Sequence, residues 1–522
     1  VSVNSKLTGL CAFAGRGGRR IAALLLTSAA LALVGCTLSP KPMTADERAS
    51  EAAQDLNDIY AHQEPLRGPL TLDEAFARAL KYNLDARAKM MEEALAQNDL
   101  DLSRIDLLPK ALAGAGYNTR DVVDASSSRS VLTNQQSLEP STSSDINRRT
   151  ADLTLSWNIL DFGVSYINAR QQSDRLLVAQ EQRRRVVQSL IGDVRRAFWR
   201  AASAQRLSTK VHEAIKDAEA ALPSARKAET EALRSPIESL RYQKLLLDLL
   251  RQLEAVERLL QTSKTELAAL INLPPGQRFS VAAPRGKGLD PVPMRVREME
   301  EVALLLNPDV REMSYQRRIS VDESRKALLR LLPGISLSYA PNYDSNGFLV
   351  HNYWTAGAVR VSGYINNLIQ APYQIRRAEN AEVLADERRK AVSVAVLAKL
   401  HIAYEQYVSA AREYRWSQQL ADVDVRLYEQ IGNRAQSDVQ SELERISAQV
   451  SAVNSELRRD QSYAEAQAAL GRIYASMGLD PVADGATLLS VRDLSHEVQK
   501  TMRDWRKIRA KALVTAAASK TE

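Results

Sequence analysis

Side chains that could carry out covalent chemistry are scarce in this sequence. Its five histidines, at positions 62, 212, 351, 401 and 496, never form a close pair at metal-ligand spacing. No G-x-S-x-G elbow and no phosphate-binding glycine loop occurs. Neither an enzyme nor a metal or cofactor protein is therefore expected, and His401, within LHIAYEQY, reads as a packed helical residue. A sustained basic block is missing too. The formal charge is +7, but Lys6, Arg16, Arg19 and Arg20 have no acidic neighbour among the first 35 residues, and without them the balance falls to +3. The remaining Lys and Arg are interspersed with Glu and Asp, which argues against a nucleic-acid partner. Aromatic residues are only 5% of the chain, against 45% apolar overall, and Ala, Leu, Arg, Gln and Glu fill long tracts. That alphabet suits long helices laced with ion pairs.

The only cysteines are Cys11 and Cys36. The apolar run IAALLLTSAALALV, residues 21–34, follows RGGRR and precedes Gly35-Cys36. This is a basic n-region, an h-region too short to span as a stable helix, and a small residue at a cleavage point. The n-region is unusually long, so a translation start downstream of Val1 fits the pattern. The ending Leu33-Val34-Gly35-Cys36 resembles the lipobox of bacterial lipoproteins, which implies a signal peptide over 1–35 and lipidation of Cys36. An ordinary signal peptide with an incidental cysteine is the alternative. Thr37 stands where an Asp would imply inner-membrane retention, so the resemblance points to the outer membrane. A mature chain beginning at Cys36 has no second thiol, hence neither an intramolecular disulfide nor thiol chemistry.

Set against itself, the chain shows a long-period repeat. ALKYNLD from Ala79 aligns with ALLLNPD from Ala303 at an offset of 224, as does Leu107-Leu108-Pro109 with Leu331-Leu332-Pro333. Further on the offset is 206: Ser156 falls on Ser362, Ala197-Phe198 on Ala403-Tyr404, Ser235 on Ser441 and Leu273 on Leu479. The 18-residue difference lies in a polar, turn-rich loop of the first copy, between Asn118 and Ala151. Each copy reads as helix, strand, loop, strand and then a long helical hairpin. The boundaries are an N-terminal lipidated segment 36–69, a first unit 70–290 with strands near 109–119 and 151–161, and a second unit 291–482 with strands near 333–343 and 353–365. A partly helical tail, 483–522, follows. The first strand, KALAGAGYN, has the weakest pattern because small residues blur it. In the first hairpin Leu246, Leu249, Leu253, Val256, Leu260, Leu267 and Leu270 follow a heptad seam, the signature of coiled-coil packing.

LTLDEAFARALKYNLD near the start, the strand-to-helix phrase SWNILDFG, and the phrases SPIESLRYQ and SELERISAQ at Ser235 and Ser441 together resemble the TolC-type outer-membrane efflux family. The resemblance covers residues 70–290 and 295–482. It implies a mostly α chain with a membrane β-barrel: a homotrimer whose twelve strands close one barrel and whose helices form a periplasmic tunnel. Trimerisation also has a physical reason, because four strands per chain leave edges that lipid cannot satisfy. The implied function is the outer-membrane exit duct of a tripartite efflux system for small toxic compounds, lipid-anchored in a Gram-negative bacterium. Its partners would be outer-membrane lipid, a periplasmic adaptor and an inner-membrane pump. A duct for protein or polysaccharide secretion is the alternative within this architecture; a periplasmic coiled-coil lipoprotein without a pore is the alternative outside it.

The resemblance also assigns residues. Trp157, Tyr339 and Trp354 are expected in the aromatic girdle of the barrel, and Asp161, Phe162 and Gly163 at a strand-to-helix corner. Arg234, Ser235, Pro236, Gln440 and Ser441 are expected at the adaptor-facing hairpin tips. Glu444 and Glu238 match the acidic positions of a periplasmic gate, with Arg434 and Arg445 placed to hold a closed state through ion pairs. Glu444 and Glu238 also fit plain solvated charges. Three positions depart from the family pattern. Ala232 and Asp438 replace glycines near the tips (Gly432 lies nearby), and Ile369 replaces the corner glycine in the second copy, where Pro372 is expected to set the turn instead.

Overall fold

The computed structural model describes residues 40–505, apart from 138, 232–234, 283–287, 293, 435–438 and 484. Cys36, Ala232, Arg234 and Asp438 lie outside the described residues, as do the side chains of Arg434, Gln440 and Ser441. Residues up to His62 form a unit of their own. In it, α1 (Ala45–Asp58) is capped by Thr44, whose hydroxyl accepts from the Glu47 amide while Glu47 reaches back, and the helix buries none of its residues.

The second unit, from Gln63 onward, opens with α2 (Leu72–Tyr82) and α3 (Leu84–Ile105), followed by strand β1 (Lys110–Thr119). A loop carrying the two-residue strands β2 (Ala125–Ser126) and β3 (Ser141–Thr142) leads to β4 (Asn147–Asn158). Then come α4 (Ile159–Thr230) and α5 (Pro236–Leu270). The order recurs as α6 (Val296–Leu306), α7 (Pro308–Leu329), β5 (Gly334–Asp344), β6 (Tyr353–Ser362), α8 (Asn366–Arg434) and α9 (Val439–Ser476). A 3-10 turn (Ala486–Leu488) and α10 (Val491–Trp505) end the described chain. At ~1.5 Å per residue, α4 and α8 each extend over roughly 100 Å. Among the described residues no helix is both long and apolar enough to cross a membrane.

Contacts recur along with the order of elements. Asn83 and Asn307 both cap a helix and have nearly the same backbone angles (φ −63° in each). The Asn83 side-chain amide donates to the Leu270 carbonyl, and that of Asn307 donates to Ser476, which is Leu270 shifted by 206. Asn272 (φ 56°) and Gly478 (φ 75°), again 206 apart, are both left-handed. His401 Nε2 lies 2.6 Å from Glu300 Oε1, and the shifted pair, Arg195 and Phe76, meets as a guanidinium 5.6 Å from a ring centroid. His401 is thus a half-exposed hydrogen-bond partner of Glu300, not the packed residue expected, because its ring points across to α6.

The heptad seam of α5 is buried as its spacing requires. Leu246, Leu249, Leu253, Val256 and Leu260 pack on Ala214, Ala218, Ala221, Ala225, Leu207 and Val211 of α4, and on Ile446, Val450, Val453 and Leu457 of α9. Alanine on one helix opposite leucine on the next brings the axes close and fills the space between them.

The C-terminal helix is fastened to the start of the unit. Val491, Leu494 and Val498 join the core formed by α2 and the middle of α4. Glu64 holds the beginning of α10: its carboxylate accepts from the Val491 amide and from Lys81 Nζ at 2.9 Å, and Lys81 also reaches the Leu489 carbonyl. The Lys81 hydrogen bond, aided by the Val491 amide, holds the Glu64 carboxyl below its ordinary value of 4.5. The folded value is below the unfolded one, so this contribution is complete above pH 4.5 and disappears as pH falls through the folded value. Amide exchange across α10 is expected to accelerate on acidification, and Glu64→Gln should abolish that dependence.

Candidate functional site

The four strands β1, β4, β5 and β6 form one antiparallel sheet, in the order β1-β4-β5-β6. Residues paired across strands share a face, so the register separates two sets of side chains. One face bears Trp157, Leu155 and Leu153 of β4, opposite Ala111 and Ala113 of β1 and Leu337 and Tyr339 of β5; Val359 and Val361 of β6 continue it. The other bears Ser156, Thr154, Asp152, Thr150 and Arg148, then Ser336, Ser338 and Asn342, then Arg360 and Ser362. Along β4, from Ala151 to Trp157, exposure runs opposite to that of a soluble sheet: the apolar residues are exposed (Trp157 39%, Leu155 41%) and the polar ones are half-buried. A water-soluble β-protein would bury the first set. The edge strands β1 and β6 are exposed on both faces, and Leu112 of β1, opposite Thr154, lies on the polar face.

Of the expected girdle residues, Trp157 lies at one end of the apolar face and packs edge-on against Phe162 at 5.7 Å. Tyr339 shares that face but sits opposite Leu155, in mid-strand. Trp354 is a correction: it pairs with Asn342, and through it with Asp152, and so lies on the polar face. Its neighbour Tyr353 takes the apolar face instead, 4.7 Å from Tyr343, with Tyr117 at a similar level opposite Arg149. The two aromatic ends are separated by roughly 20 Å of strand. Sequence reading missed Tyr343, Tyr353 and Tyr117. In β6 the stretch Ala356-Gly357-Ala358 has no polar residue to mark its alternation.

The strand-to-helix corner also moves. The helix starts at Ile159, so Asp161, Phe162 and Gly163 lie inside α4, and β4 ends at Asn158 rather than near 161. Asn158 makes the corner: its Oδ1 accepts from the Leu160 and Asp161 amides (2.9 and 3.3 Å), and Asp161 complements the helix N-terminus. Gly163 needs no special conformation, and a Cβ there would make ordinary contact with Leu329 at 3.8 Å. Ile369 can therefore occupy the matching place. Likewise β6 ends at Ser362 rather than near 365, and Pro372 lies inside α8 and sets no turn. The second corner is held by the Asn367 amide, which donates to the Arg330 and Leu331 carbonyls at the end of α7.

At the far end of the helices, Ser235 precedes α5 without a side-chain capping bond, and Pro236 occupies its first position. Ser235, Pro236 and Glu238 are exposed, as are the apolar Ile237 and Leu240, which sequence reading did not single out. Gln440 and Ser441 lie in the first turn of α9. Glu444 is exposed, and no described contact joins it to Arg445. Arg445 donates instead to Asp217 of α4 at 3.0 Å. Burial works against the Arg445 charge, but the Asp217 bond overrides it and raises its pKa. Arg445 and Asp217 are thus brought together, whereas Glu238 and Glu444 are both exposed in the single chain. Among the described residues no group of three or more His, Cys, Asp and Glu is placed to hold a metal ion.

No protein-family model matches the sequence, and no curated protein matches it. Solved structures do match in three dimensions. The Campylobacter jejuni CmeC outer membrane channel aligns with a TM-score of 0.60 at 14% identity, over 88% of this chain and 97% of that one. The Vibrio cholerae outer membrane protein VceC gives 0.58 at 14% identity, over 78% and 96%. The Neisseria gonorrhoeae MtrE outer membrane channel, in its open state, gives 0.56 at 17% identity, over 77% and 88%. With its twice-run element order, inside-out sheet and coiled helical hairpins, the chain has the fold of the TolC-type outer-membrane channels.

Proposed function

We propose that the protein is an outer-membrane channel, the exit duct of a tripartite efflux system, built from three copies of a chain that is itself a duplicated unit. The observation that carries this reading is strand β4, whose apolar side chains from Ala151 to Trp157 are exposed while the polar ones between them are half-buried. In the four-stranded sheet of the single chain, β1 and β6 have open edges. Three copies joined at those edges make a twelve-stranded barrel with a polar lining, the closed form that lipid requires. The long helices continue the barrel as a periplasmic tunnel. Cys36 anchors the chain through its lipid, and an adaptor meets the tips at Arg234, Ser235, Pro236, Gln440 and Ser441, with Ile237 and Leu240 adding apolar contact. A pump in the inner membrane delivers the cargo, and the duct itself performs no catalysis.

Gating falls to the α9 tip. In a threefold ring Glu444 would attract cations and repel anions at the constriction, while the Arg445–Asp217 pair ties α9 to α4 within each chain. Arg434 remains a candidate for the closed state.

Planar-bilayer recording of the full-length protein tests the function. Discrete conductance is expected, small at rest, with Arg445→Ala raising the resting leak and Glu444→Gln lowering the preference for cations. Absence of conductance under any condition, with soluble behaviour after removal of the lipid, would leave the periplasmic scaffold as the reading. A secretion duct would conduct as well; co-purification with a secretion apparatus in place of an adaptor and pump identifies it.

A further inference from the structure

The contact between α4 and α7 joins the first half of the chain to the second through a ladder of polar bonds. Gln171 Nε2 donates to Glu323 at 3.1 Å, Arg170 pairs with Asp322, Arg318 with Asp174, and Arg311 Nε with Glu181 at 3.0 Å. On α4 the stripe Gln171, Asp174, Val178, Glu181 and Gln188 is buried at heptad spacing. The α8 residues 206 positions further on are Arg377, Asn380, Leu384, Glu387 and Val394, and every one is exposed: Val178 is 7% accessible, Leu384 51%. The same contrast holds across α7 and α3. Glu312, Asp322 and Lys326 are buried, whereas their counterparts 224 positions earlier, Ala88, Asn98 and Leu102, are exposed. Positions facing within each half behave differently: Val310 and Ser324 are buried, and so are Ala86 and Leu100. The face between halves thus has an uncovered twin.

We infer that a second copy of this chain covers that twin, its α3 seated on α8 as α7 is seated on α4. This inference rests on the trimeric reading above and assigns its register. Shifting the internal contacts by the two offsets gives two charge pairs between copies. Gln171–Glu323 becomes Arg377 with the partner copy's Asp99, and Glu181–Arg311 becomes Glu387 with its Arg87. All four side chains are exposed within one chain, and opposite signs meet in both pairs. Arg170–Asp322 becomes Arg376 beside Asn98, and Arg318–Asp174 becomes Ala94 beside Asn380, so this contact has fewer ion pairs than the internal one. Leu384, Val394, Met91 and Leu95, all exposed in the single chain, supply the apolar part.

The test uses full-length protein in detergent, with Arg87→Cys and Glu387→Cys combined and treated with a short bismaleimide. Cross-linked dimers and trimers are expected, roughly tenfold above either single-cysteine variant. Charge reversal offers a second readout: Arg87→Glu or Glu387→Arg alone should lower the temperature at which the oligomer dissociates, and the two together should restore it. A trimer that cross-links through Arg87→Cys with Arg377→Cys instead, or in which the double reversal restores nothing, overturns this register and leaves the trimer intact. A monomer at every concentration overturns both.

Discussion

Leu155→Arg is expected to abolish assembly into the outer membrane, whereas Ser156→Arg, one residue along the same strand, should assemble normally. The side chains of β4 alternate, and from Ala151 to Trp157 the odd-numbered set is apolar and exposed while the even-numbered set is polar and half-buried. A guanidinium near the midplane on the lipid side of a barrel costs about 2–4 kcal/mol, against little on the wet side. Three symmetry copies would triple that cost. The measurement is the yield of folded oligomer in outer-membrane fractions and the denaturant midpoint in lipid vesicles. Equal tolerance at both positions would mean the apolar face meets neither lipid nor anything else that excludes water. Ser156→Arg should in turn reduce the cation preference of the open pore, since it adds positive charge to the polar face.

Gly478→Ala should be the most destabilising single methyl in the helical part. Gly478 has φ 75°, and a Cβ there would lie 2.3 Å from the Leu306 carbonyl oxygen and 2.6 Å from the Asn307 nitrogen. Neither backbone atom can give way, because Asn307 is fixed by its bond to Ser476 and Arg184 donates to the Gly478 carbonyl at 3.0 Å. Strain and displacement together cost on the order of 3 kcal/mol or more. The twin position holds Asn272, which adopts φ 56° with a side chain in place, so Asn272→Gly should change stability by only a few tenths of a kcal/mol. Chemical denaturation of both variants checks the contrast. Similar losses at the two sites would show that the left-handed turn matters and the carbonyl approach does not.

Much of this architecture is legible in the residues. The offset of 224 carries the boundaries of α2 and α3 onto those of α6 and α7, and the leucine heptads place α5 against its neighbours. What misleads is local chemistry with two solutions. Asp161-Phe162-Gly163 looks like a break, yet a glycine early in a helix is tolerated when a cap such as Asn158 has already set the direction. Trp354 looks like a girdle residue, yet its face depends on register, which the Ala-Gly-Ala stretch beside it leaves open. The proposed gate is the least legible part. Glu444 and Arg445 are neighbours in sequence, yet Glu444 is exposed while Arg445 bonds to Asp217 of α4.

The alanine row of α4 beneath the leucines of α5 has a mechanical consequence. A seam packed at such close approach hardly compresses, so a push at the hairpin tip cannot be absorbed by local bending. It is passed along the helices as the movement of a stiff lever. Beside that seam, Ser203, Arg206 and Lys210 of α4 bond to Asp460 and Glu456 of α9, so the α4–α9 contact resists sliding where the α4–α5 contact resists compression. A push at the tips would therefore move these helices together, as one body.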